Sequence, residues 1–190
     1  NTIDPENIIN KYGADAVRFF ILADSPPEKD VQWSEEGMIS SYKFIQKLWL
    51  LNDQIVKLSK INSSNNNDEI EFFTNQSIDK INQALAKFRY NVIIATYHEI
   101  YSFFKKIVEK ENNFANLKDN FQKLLLIMLP VIPHLASECL EKLDYKKIIK
   151  WPEIEQKYLR KETNNIVIQV NGKKRAMISI EKDTQEDEII

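Results

Sequence analysis

The side chains in this sequence best placed to do chemistry are cations. Lys80, Lys87 and Arg89 lie on and just after one helical pattern. Lys105, Lys106 and Lys110 end the next, Lys146, Lys147 and Lys150 precede Trp151-Pro152, and Lys173, Lys174 and Arg175 follow an Asn-Gly turn signal. Lysines and arginines that share a surface bind phosphate backbones, because their charges add over several phosphates. Lys87 and Arg89 are favoured because they adjoin Phe88 and Tyr90. Lys173, Lys174 and Arg175 are favoured because a hairpin tip can reach a nucleic-acid groove. An ordinary solvated face is the rival reading of each cluster.

Catalytic chemistry finds less to work with. There is no glycine-rich phosphate loop, and the two histidines, His98 and His134, do not have metal-ligand spacing. No catalytic and no metal-binding residue is therefore expected. His134 follows Pro133 at a helix start, where a packed or hydrogen-bonded imidazole is the better account, and the same holds for His98 within its helix pattern. Trp33, Trp49 and Trp151 could stack on bases, but their neighbours favour core or junction packing. The single Cys139 excludes an internal disulfide and fits a reducing compartment.

The elements that must position these groups are helices. With 43% apolar residues, 3 Gly and 6 Pro in 190 residues, the chain can build a core but has few turns. Its net charge of -2 means that any nucleic-acid binding must come from local clusters. No apolar run approaches the roughly 20 residues that span a bilayer, so a cytoplasmic protein is expected. Asn1 is not an initiator methionine and Ile190 falls in mid-pattern, which suggests an interior piece of a longer chain.

Asp4-Pro5-Glu6 predicts a capped helix start and Gly13 its end. A second helix runs from Ala14 to about Ala23, and Ser25-Pro26-Pro27 opens an extended connector. Ser34 caps a long helix with Phe44, Leu48, Leu51, Ile55 and Leu58 on one face. The Asn62–Asp68 stretch reads as a mobile loop. The apolar stripe then continues through Ile78, Ile81, Leu85, Phe88 and Val92, and resumes beyond a bend near Asn91. Helices at Leu117–Leu129 and His134–Leu143 complete four or five helices around one core. After Trp151-Pro152 the period falls to 2, predicting a hairpin. A three-residue turn, 171 to 173, would pair Val170 with Lys174, Ile168 with Ala176 and Ile166 with Ile178.

Several segments resemble those of a known family. Ile3-Asp4-Pro5, Ile8-Ile9 and Lys11-Tyr12-Gly13-Ala14-Asp15-Ala16-Val17-Arg18 resemble the stretch after the Lys-Met-Ser-Lys-Ser signature of class I aminoacyl-tRNA synthetases. Residues 23 to 34 are similar to the leucyl enzymes of bacteria. Phe88-Arg89-Tyr90-Asn91 and the segment from Pro130 to Glu138 resemble two helices of that family's anticodon-binding-type bundle, and Val170-Asn171-Gly172-Lys173 with Arg175 its C-terminal hairpin. Ser41 and Leu140-Glu141 depart from the usual Gly and Leu-Trp.

The resemblance implies a mainly α fold, with connector helices at 1–33, a helical-bundle tRNA-binding domain at 34–152, and a linker with the start of an α/β C-terminal domain, here a β-hairpin, at 153–190. It implies a piece that binds leucine tRNA by backbone and shape through Lys80, Lys87, Arg89, Lys173, Lys174 and Arg175. Asp15 and Arg18 would couple the bundle to the parent's catalytic domain. ATP and Mg²⁺ would serve that parent, which joins leucine to its tRNA and edits in a separate domain, and no cofactor is expected in this piece. A free-standing helical protein-interaction module is the alternative.

Overall fold

A computed structural model describes residues 4–24, 30–110 and 113–159, and the backbone of 163–170 and 173–181. It falls into two compact units, 1–154 and 155–190.

The first unit is helical, and three of its helix ends are marked by the residues the sequence predicts, Asp4, Gly13 and Ser34. Helix α1 (Pro5–Tyr12) starts where Asp4 accepts a hydrogen bond from the Glu6 N–H at 3.0 Å. It ends at Gly13, whose φ of 83° suits a residue without Cβ and whose N–H reaches the Ile9 carbonyl at 2.7 Å. Helix α2 (Ala14–Asp24) follows directly. Helix α3 (Glu35–Leu58) is capped by Ser34, and Phe44, Leu48, Leu51 and Ile55 are buried along its predicted face.

Helices α4 (Asp68–Ala86), α5 (Tyr90–Glu109), α6 (Leu117–Met128) and α7 (Pro133–Lys142) complete one shared core. Phe19 of α2 belongs to that core and stacks on Phe44 with ring centroids 4.7 Å apart. The helices expected as a separate connector at 1–33 therefore share a compact unit with the bundle. Residues 25–29 of the expected extended connector lie outside the described residues.

Two sequence expectations change here. The bend expected near Asn91 is a full break between α4 and α5. Phe88 takes a left-handed φ of 51°, its N–H reaches the Leu85 carbonyl at 3.1 Å, and the Arg89 N–H reaches Ala84 at 2.9 Å. This is the crossed pair of bonds that closes a helix around a left-handed residue, a position usually held by glycine. Helix α7 ends in the same way around Asp144, φ 55°, with bonds from Asp144 to Glu141 and from Tyr145 to Leu140.

The loop expected to be mobile is tied down. Ser63 donates to the Asn113 carbonyl at 3.0 Å, and Ala115 N–H to Asn65 at 2.8 Å. The Asn116 side chain exchanges two hydrogen bonds with the Asn67 backbone, at 3.1 and 3.0 Å. Asparagine amides imitate peptide groups, so polar residues that a composition reading takes as solvated instead form a clasp.

Close packing at the start of α3 depends on glycine. A Cβ on Gly37 would lie 2.8 Å from Phe20 Cε2, and Phe20 is itself buried and edge-on to Trp33. Gly37→Ala is expected to lower stability by about 1 kcal/mol or more despite the better helix propensity of alanine, read as a lower urea midpoint.

In the second unit a 3-10 turn at Gln156–Tyr158 precedes strands β1 (Thr163–Val170) and β2 (Lys173–Glu181), which pair antiparallel. Ile168 faces Ala176 and Ile166 faces Ile178, as the apolar pattern requires. Val170 pairs with Lys173, not Lys174, because a register shift between Ile168 and Gln169 leaves Arg175 as an extra residue. A bulge rephases the ladder where the sequence reading had lengthened the turn. Residues 171 and 172 lie outside the described residues.

Candidate nucleic-acid interface

A phosphate-binding surface needs cations that no carboxylate has already neutralised, and ion pairing separates the four clusters on that criterion. Lys80 is taken up by both oxygens of Glu99, at 2.8 and 2.7 Å. Lys87 and Arg89, on the turn that closes α4, have no carboxylate within ion-pair distance among the described residues. Lys105 pairs with Glu109 at 3.4 Å, leaving Lys106 and Lys110. Lys146 pairs with Asp144 at 3.1 Å and Lys150 with Glu153 at 3.3 Å, leaving Lys147.

These pairs are exposed and contribute little to stability, but each holds a cation's charge close to its opposite. Two neighbouring pairs of cations are thus left without a carboxylate partner among the described residues, Lys87 with Arg89 on the α4–α5 turn and Lys106 with Lys110 at the end of α5, and of these only the turn also carries an exposed aromatic ring between its two cations, Phe88. Trp151 donates from Nε1 to Asn82 Oδ1 at 2.8 Å, which fixes the end of the Lys146–Lys150 segment against α4. Backbone positions place Lys173 and Lys174 at the start of β2 and Arg175 at its bulge, in the other unit, and their side chains lie outside the described residues.

Asp15 and Arg18 sit in a different kind of site. Helix α7 begins at Pro133 after Ile132, and neither residue can cap it with a side chain. Asp15 reaches across from α2 to do so. Its buried carboxylate accepts from the Leu135 N–H at 2.7 Å, from the His134 N–H at 3.4 Å, and from His134 Nδ1–H at 2.8 Å. These are the second and third amides of the helix, the ones a local cap would bind. Arg18, one turn along α2, donates from Nε to the Val131 carbonyl at 2.9 Å and from Nη2 to Pro130 at 2.6 Å. One face of α2 therefore grips the whole α6–α7 turn, carbonyls by a cation and amides by an anion.

The remaining candidates have structural surroundings. His98 lies against Phe44, ring centroids 4.3 Å apart, and burial, with Lys47 adding to it, holds its pKa below the usual value. Trp49 lies under Lys142 Nζ at 3.7 Å. Burial pushes the Cys139 thiol up to about 12, so at pH 8 it is expected to react with a thiol reagent only after denaturation. Rapid labelling of the native chain would contradict that placement. Among the described residues no three of His, Cys, Asp and Glu come together as a metal site, and no helix is long and apolar enough to cross a membrane.

Sequence reasoning missed the neutralisation of Lys80, which depends on α4 packing against α5, and the left-handed Phe88, which no glycine announces. It singled out Asp15 and Arg18 by resemblance, but not their joint hold on one turn.

The profile of the family "Anticodon-binding domain of tRNA ligase" matches residues 67–190. Leucine–tRNA ligase from Hyphomonas neptunium is 32% identical over 195 residues, and that from Rickettsia bellii 36% identical over 193. Each alignment takes in 100% of this chain, which spans 23% of the length of either relative. Among solved structures, LeuRS in a ternary complex with tRNA and LeuAMS from Agrobacterium radiobacter matches 100% of the chain with a TM-score of 0.82, at 20% identity and over 26% of its own length. At that identity the likeness is one of fold. The family match covers well over half of the sequence and takes in α4 to α7, the helices that carry Lys87, Arg89 and the capped turn: the chain belongs to the anticodon-binding domain family of the tRNA ligases.

Proposed function

We propose that this chain is the tRNA-contacting part of a leucine–tRNA ligase, and that it holds leucine tRNA through phosphate and shape contacts centred on the α4–α5 turn. The observation that carries the reading is the alignment of its whole length with leucine–tRNA ligases. The unneutralised Lys87 and Arg89 support it, as does the fold shared with a synthetase crystallised with tRNA. Phosphate contacts position a nucleic acid without reading its sequence, so affinity should follow the body of the tRNA.

In this reading activation of leucine with ATP and Mg²⁺, transfer to tRNA and editing belong to the remainder of a longer, cytoplasmic protein. Residues 153–190 are a linker and the beginning of its α/β C-terminal domain, where Lys173, Lys174 and Arg175 add a second set of phosphate contacts. Asp15 and Arg18 fix the bundle to the helices nearest the catalytic domain, so that tRNA seated on the bundle is presented to the active site in one orientation.

Fluorescence anisotropy of the chain with labelled leucine tRNA tests the reading. Replacing the anticodon in that tRNA should leave the affinity within about threefold, since phosphate contacts are indifferent to base identity. A large loss on anticodon replacement would refute shape recognition, and absence of binding at low salt would refute the reading as a whole.

A further inference from the structure

We propose that Phe88 is a stacking platform for one unpaired nucleobase of the bound RNA, with Lys87 and Arg89 seated on the phosphates to either side. The proposal rests on the tRNA-binding reading and names a subsite within it.

Three observations converge on this ring. Phe88 occupies the left-handed position that closes α4, where a bulky side chain is strained and glycine or asparagine is usual. The matching position after α7 holds Asp144, a residue type that tolerates that conformation. The strain at Phe88 is not offset by packing, because the residue is 61% exposed and its one ring contact among the described residues is an edge-type approach to Tyr90 at 6.3 Å. The turn also presents a cation immediately before and immediately after the ring, and both lack carboxylate partners among the described residues.

An exposed aromatic between two free cations matches a nucleotide in chemistry. Every base offers a π-face for stacking, and its flanking phosphates carry the charges that lysine and arginine bind. A base held in a duplex has both faces covered, so the ligand is an unpaired base from a loop. An apolar protein partner would take the ring but would leave Lys87 and Arg89 unanswered. A fold that needed only to end α4 would be served better by glycine. Strain retained without a packing return is the mark of a residue kept for contact with a ligand.

The test uses the 190-residue chain and leucine tRNA, with Phe88→Leu, Phe88→Trp and Phe88→Gly. Loss of one base stack lowers affinity about 5- to 150-fold, so Phe88→Leu and Phe88→Gly should fall in that range with an unchanged salt slope, while Phe88→Trp stays within about threefold of wild type. Phe88→Gly should also raise the unfolding midpoint by a few degrees, since it relieves the left-handed strain while removing the platform. With 2-aminopurine placed in turn at the unpaired positions of the tRNA, at least one position should change its fluorescence on binding wild type and not on binding Phe88→Leu.

Wild-type affinity in Phe88→Leu, an equal loss in Phe88→Trp and Phe88→Leu, or no responsive 2-aminopurine position would overturn the platform while leaving tRNA binding in place. Failure of wild type to bind tRNA at all would overturn the functional reading, and the platform with it.

Discussion

Asp15→Ala is expected to destabilise the bundle by about 2 to 4 kcal/mol. The carboxylate is buried and closes the start of α7 from another helix, so its removal leaves the amides of His134 and Leu135 without their acceptor. Ile132 and Pro133 offer no replacement. Asp15→Asn retains one acceptor oxygen and should cost roughly half as much.

Arg18→Ala releases the carbonyls of Pro130 and Val131 at the other side of the same turn. Because the two side chains hold one segment, the double variant should lose less than the sum of the singles, with a coupling on the order of 1 kcal/mol or more. Urea unfolding curves read all three, and a midpoint shift at constant slope identifies lost stability. Additive single effects would separate the two grips and weaken the case that α2 positions the turn as a unit. If the chain is part of a leucine–tRNA ligase, as proposed, and α2 relays the bundle's position to that enzyme's catalytic domain, the same variants in the full-length enzyme should lower aminoacylation at temperatures where the bundle is still folded.

Reversing the two charges of the α4–α5 turn, Lys87→Glu with Arg89→Glu, should weaken tRNA binding on the order of 30- to 150-fold, taking about 1 to 1.5 kcal/mol for each charge. The expected effect on stability is small, because neither side chain has an ion-pair partner within the described residues to lose. Lys80→Glu supplies the contrast. Its charge is already engaged by Glu99, so reversal should change affinity less, and the new repulsion between the two acids should show as a modest loss of stability. Equal losses of affinity at all three positions would indicate a general charge effect and remove the reason for centring the interface on the α4–α5 turn.

Local rules carried much of this molecule. Asp4, Gly13, Ser34 and the two prolines around residue 130 mark helix ends by chemistry that acts within a few residues. The four-and-three spacing from Phe44 to Ile55 identifies a buried face because the face is a property of one helix. What was hidden depends on partners far away in the chain. Nothing near Lys80 says that Glu99 will meet it, and nothing near Pro133 says that Asp15 will cap α7. The α4–α5 break was hidden for another reason: Phe88 fits an apolar helix stripe by type, and only the backbone shows it as the residue that ends the helix. The hairpin was legible in its apolar pairs, but its register can be kept by a longer turn or by a bulge, and the sequence pattern does not choose between them.

The claim that this chain holds tRNA by its phosphates is tested most directly by the salt dependence of its affinity for leucine tRNA. Each phosphate contact contributes about -0.7 to -0.9 to the slope of log affinity against log salt, so Lys87 and Arg89 alone predict a slope of about -1.5 or steeper. The Lys87→Glu, Arg89→Glu double variant should be shallower by about 1.5. A wild-type slope near zero, or a slope that the double variant leaves unchanged, would contradict the account.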